Sequence, residues 1–144
     1  MILKDKILTI LHDLKTQGII NTVMYDSAFS ANVRIDRSPM PAALLYLLED
    51  WNLDLSKSAV KESANLQVFF FDTCSLDIKG EEKDVIVNEM EAIARQFISV
   101  LLEDKSIVLL DDKIRIQSTF GKFDKFCVGV TLNLKIEQKQ GECL

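Results

Sequence analysis

The chain has 144 residues, the size of a single domain. Hydrophobic residues make up 48% and charged residues 27%, with only 5 Gly and 2 Pro, which excludes disordered, collagen-like and low-complexity chains. The 17 Lys and Arg against 22 Asp and Glu leave a net charge of −5, which argues against a surface built mainly to hold DNA, RNA or an anionic membrane.

Residues 2–16 read as a helix. Leu3, Ile7, Ile10 and Leu14 recur at helical spacing, Leu8 and Leu11 widen the stripe, and Gly18 follows as a stop. Residues 19–25 suit a short strand, 26–32 a loop and 33–35 a brief extended piece. Pro39 and Pro41 then hold the backbone extended. Residues 42–48 are ambiguous: Ala and Leu favour a helix with Leu44, Leu45, Leu48 and Trp51 on one face, yet a buried strand fits equally. Residues 56–63 read as a polar loop, 66–71 as a central strand on aromatic and branched content, and 72–80 as a connector. The longest helix is expected over 82–103, where Ile86, Met90, Ile93, Phe97 and Leu101 form a stripe and Glu81, Glu82 and Asp84 suit the positive end of the dipole.

Two alternating segments close the chain. Ile114, Ile116, Ser118 and Phe120 alternate with Lys113, Arg115, Gln117 and Thr119. Beyond a turn at 121–125, alternation over 126–136 predicts one face on the core and one in water. The pair reads as an antiparallel hairpin. The fold expected is α+β: a two-layer sandwich, with an antiparallel sheet of about four strands and two helices packed on one face. One domain spans 1–137, and 138–144 is a polar tail.

Catalytic patterns are absent. No phosphate-binding, dinucleotide-binding or GxSxG motif occurs. His12 reads as a surface or boundary residue, and one histidine with three dispersed cysteines (Cys74, Cys127, Cys143) makes no metal site or disulfide framework. Asp111-Asp112 suits a turn and Glu81-Glu82 a helix start. Asp50, Asn52 and Asp54 alternate as in a calcium loop but lack its Gly and distal Glu. Phe69-Phe70-Phe71 reads as core rather than a base-stacking platform, since Gln67 and Asp72 flank it instead of Lys and Arg. We therefore expect no cofactor and no enzymatic activity. Charges at Lys4, Asp5 and Lys6 break the first apolar stretch, so it does not read as a secretion signal. With no apolar run long enough for a membrane span, a cytosolic origin is expected.

One surface stands out. Lys113, Arg115, Gln117, Thr131, Asn133 and Lys135 form the polar face of the terminal hairpin, with Thr119 beside them and Glu137 the only acid. This basic face on an acidic chain suits a solvated sheet, or a surface turned toward nucleic acid or another subunit. Open strand edges invite pairing with a second copy.

The order of elements, with Pro39-Met40-Pro41-Ala42-Ala43-Leu44, Phe69-Phe70-Phe71-Asp72, Ala94-Arg95-Gln96-Phe97-Ile98 and residues 123–132, resembles the phage tail-terminator and tail-completion proteins, in a form from phages or prophages of Bacteroides-type bacteria. The resemblance implies a strand at 42–48. It implies a non-enzymatic virion subunit, made in the host cytoplasm, that forms a homo-oligomeric ring, a hexamer. Such a ring joins the tail tube to neck or connector proteins, with DNA passing its lumen in non-specific contact. The polar hairpin face would then line that lumen or the seam between subunits. An adaptor or small-ligand binding domain is the alternative. A small hydrolase would need His12 and Cys127 to converge with a carboxylate.

Overall fold

The computed structural model describes residues 2–55, 59–75, 77–121 and 126–138. In chain order the elements are α1 (Ile2–Thr16), β1 (Thr22–Asp26), α2 (Ala28–Arg34), a 3-10 turn (Ile35–Arg37), β2 (Ala42–Tyr46), β3 (Trp51–Leu55), β4 (Val60–Thr73), α3 (Gly80–Glu103), β5 (Ile107–Leu109), β6 (Arg115–Phe120) and β7 (Cys127–Gln138). Among the described residues no helix is long and apolar enough to cross a membrane.

The first helix forms where its stripe predicts, burying Leu3, Ile7, Ile10, Leu11 and Leu14. Its end is set by local chemistry. Gly18 takes φ +78°, its N–H donates to the Lys15 carbonyl, and the Ile19 N–H donates to the Leu14 carbonyl. That pair of bonds satisfies carbonyls the helix leaves open, in a left-handed conformation that glycine adopts without strain. Its start is capped from far away: the buried Glu62 carboxylate accepts from the Ile2 and Leu3 N–H groups, at 3.1 and 3.2 Å. The Glu62 N–H in turn donates to the Gln138 side-chain oxygen at 3.0 Å. Glu62 thus ties helix, β4 and β7 together. Glu62→Ala leaves two helix-terminal donors unmatched, and urea denaturation should show a loss of about 1–2 kcal/mol. A loss below about 0.3 kcal/mol would show that water replaces the carboxylate at no cost.

All seven strands join one mixed sheet. The long strands β4 and β7 pair at its centre over Ser63↔Glu137 to Thr73↔Cys127. The far edge of β4 carries β3 along its first half and β2 along its second; the far edge of β7 carries β6 and β5. β1 lies outside β2 and runs parallel to it. The sheet is therefore wider than the expected four strands, and not wholly antiparallel.

Two cores follow from the pleat. On one face α1 and α3 cover Ala43, Leu45, Val68, Phe70, Val130, Leu132 and their neighbours, as expected for two helices on one side. On the other face Met24, Ala42, Leu44, Phe69, Phe71 and Cys127 bury against Ala31 and Ile35. That second cover adds a partial third layer to the two expected. It also corrects the loop and extended piece predicted at 26–35. The Ser27 hydroxyl accepts from the Ser30 N–H and starts α2, and burial of Ala31 and Ile35 makes the short helix stable where its periodicity is too weak to read.

Burial settles other points. Residues 42–45 are buried on both faces between β1 and β4, which overrides their helix propensity. Val60–Ser63, expected in a loop, begins β4 because β3 pairs along it. Gln138, expected in the tail, is buried at the end of β7. Residues 127–132 are buried on both faces, since the stretch passes under the second core, so the predicted wet face begins only at Asn133. The parts of the predicted loop at 56–58 and connector at 76, the turn at 122–125 and the tail at 139–144 lie outside the described residues, as does Cys143.

Candidate functional site

The hairpin pairs β6 with β7 in the register Arg115↔Asn133, Gln117↔Thr131 and Thr119↔Gly129. Directly opposed residues share a face, so the predicted polar set is brought together. The β4 register continues it with Gln67 opposite Asn133 and Asn65 opposite Lys135. This face lies opposite α1 and α3. Hydrogen bonds tie its middle: Gln67 Nε2 donates to Asn133 Oδ1 at 2.8 Å, and the Thr119 and Thr131 hydroxyls meet at 3.0 Å. Asn133 Nδ2 is buried without a protein partner.

An open cleft of about 960 Å³ runs along this face, bounded by Lys113, Arg115 and Lys135 on one side and by the β2–β3 connection on the other. Glu49, Asp50 and Asp111 also line it. Lys135 pairs with Asp111 at 3.5 Å, with both side chains more than half exposed. These three acids do not include Glu137, the only one that the sequence pattern gave this face. Three bases meet three acids, and the cleft is balanced rather than basic.

The outer strands are less covered than their patterns predicted. Ile114, Ile116 and Phe120 do point to the helix side, because Ile116 and Phe120 oppose Leu132 and Val128. Ile114 packs against the edge of the helix-side core, whereas Ile116 and Phe120 stay 39% and 48% exposed. At the opposite edge, Trp51, Leu53 and Leu55 also face the helix side, opposite Ala64, Glu62 and Val60, and are 43%, 58% and 71% exposed. Sequence reasoning missed this strand. Its signal was the alternation of Trp51, Leu53 and Leu55 with Asn52 and Asp54, hidden because Trp51 also fitted a helical stripe.

The other candidates do not converge. His12 is exposed on α1, on the helix side, whereas Cys127 is buried in the second core across the sheet. No pairing of the two as base and nucleophile is possible. In that core, burial and neighbouring Cys127 push the Tyr46 hydroxyl up to about 12. Burial also raises the Cys74 thiol, which lowers its reactivity. Phe69, Phe70 and Phe71 are fully buried, with Phe69 and Phe71 stacked at 4.6 Å, so none offers a base-stacking surface. Among the described residues no three His, Cys, Asp or Glu side chains are grouped to hold a metal ion. No protein-family model matches this chain, and no curated protein matches its sequence.

Proposed function

We propose that the protein is a structural subunit that works by assembling with copies of itself into a ring, in the manner of the phage tail-terminator and tail-completion proteins it resembles. The observation that carries this reading is that two of the outer strands, β3 and β6, expose apolar side chains and, among the described residues, pair along one edge only. Surfaces of this kind favour pairing with another chain. Two unlike edges suit head-to-tail contacts, and head-to-tail contacts close into rings when the rotation permits.

In this reading the ring is a virion component, a hexamer set between tail tube and neck proteins, with DNA passing through its lumen. The balanced charge of the polar cleft supports such a passage, because a surface that DNA crosses must not gather the phosphate contacts that would hold it. Lys113, Arg115, Gln117, Thr131, Asn133 and Lys135 would lie toward the lumen or the seam. Electron microscopy of the purified protein at about 100 μM, a concentration chosen to favour weak edge contacts, should show rings with an open centre. Uniform particles of single-subunit size would contradict the proposal.

The cleft also gives the adaptor or small-ligand reading a specific footing, since it is wide and rich in polar groups. That reading predicts a rise in melting temperature with a bound small molecule, together with a monomeric mass.

A further inference from the structure

We propose that β3 of one copy adds edge to edge onto β6 of the next, so that the sheets of neighbouring subunits run into one another. This rests on the ring reading above and names the seam that reading requires. Three observations lead to it.

The first is strand direction. β3 runs antiparallel to β4, β4 antiparallel to β7, and β7 antiparallel to β6, so β3 and β6 point in opposite directions at opposite edges. Copies kept in the same orientation and slid along the strands by the six residues that separate Glu62, beside Leu53, from Val68, level with Ile116, therefore bring β3 past β5 to β6 as an antiparallel pair, with the helix sides of both sheets on the same surface. No strand needs to turn over.

The second is the match of faces. On the helix side, Leu53 and Leu55 of one copy would meet Ile116 and Ile114 of the next. On the polar side, the same register sets Asp54 opposite Arg115. A shift by one residue would place apolar against polar on both surfaces, so the pattern confines the register to even shifts, of which this one sets Asp54 opposite Arg115.

The third is charge. Asp54 is exposed on β3, outside the cleft that Glu49 and Asp50 share with Lys113 and Arg115, and it faces Lys61 of β4 on its inner side only. At the β6 edge Arg115 is exposed, so the seam sets an acid of β3 against a base of β6. A symmetric dimer through two β3 strands would gather the acids of both copies, and the head-to-tail contact relieves that repulsion.

The test is a charge exchange, read by light scattering across protein concentration, with circular dichroism confirming each variant folded. Asp54 and Arg115 are both exposed in the single subunit, so Asp54→Lys and Arg115→Glu leave the fold intact. Each single substitution should raise the concentration needed for assembly about tenfold, and the double variant should return to near the wild-type value. Leu53→Lys should abolish assembly. If wild-type rings form and persist unchanged in Arg115→Glu and Leu53→Lys, this seam is wrong and the ring reading stands. If assembly is strengthened in Asp54→Lys but untouched in Arg115→Glu, a β3–β3 contact replaces it. A wild-type protein that never exceeds one subunit overturns both.

Discussion

Replacing Gly129 with alanine should destabilise the subunit by about 3 kcal/mol, at the upper end for overpacking a single methyl. Gly129 sits in β7 between Phe71 and Thr119. A Cβ there would lie 1.9 Å from the Phe70 carbonyl oxygen and 2.8 Å from the Phe71 Cα. Both neighbours are backbone atoms of β4, so no side chain can swing aside. The two longest strands must part, at the point where both faces of the sheet are buried. Thermal unfolding should fall by roughly 10 °C, given the usual entropy of unfolding for a chain of this size. Gly18→Ala is the control. It carries a left-handed φ of +78° but meets nothing within 4 Å, so its cost should be the conformational one alone, about 1 kcal/mol. Equal melting temperatures for Gly129→Ala and the wild type would mean that β4 and β7 are not in the contact described.

The second large effect is expected at Phe97. This α3 residue is fully buried and its ring lies 5.6 Å from that of Phe70, tilted by 55°. With Met90, Ala94 and Leu101 it makes up the buried stripe of α3. Phe97→Ala leaves a cavity that the strands beneath cannot collapse to fill, and should cost about 3–5 kcal/mol in urea denaturation. Phe97→Leu keeps most of the volume and should cost about 1–1.5 kcal/mol. Phe120→Ala removes the same side chain from an uncovered strand and should change single-subunit stability by less than about 0.5 kcal/mol. Similar losses at Phe97 and Phe120 would contradict the division between covered and uncovered strands.

That division marks where the sequence was legible. α1 and α3 are long enough for their stripes to repeat several times, and the alternation in β6 and β7 gives side-chain direction correctly. Direction is a local property of the pleat; burial is not. Whether Ile116 or Phe120 is covered depends on how far α3 extends, and no pattern within β6 records that. α2 was unreadable for a related reason: Ala31 and Ile35 are buried in one core cluster with Leu44 and Phe69, residues distant in sequence. Likewise Glu62 reads as an ordinary polar residue until its carboxylate is found at the start of α1. The candidate face was legible as a set, because residues two apart on paired strands must share a side. Its charge was not, since Glu49, Asp50 and Asp111 arrive from connections outside the hairpin.

The central claim, that the protein acts as an assembly of identical subunits, is tested most directly by its mass in solution. Light scattering on eluting protein, repeated across concentration and salt, should give a species near 98 kDa, about six times the 16.3 kDa subunit. Its stability should depend on salt, because charged residues flank the proposed seam. A constant mass of one subunit up to about 100 μM, a concentration at which even micromolar contacts would be filled, would contradict the account.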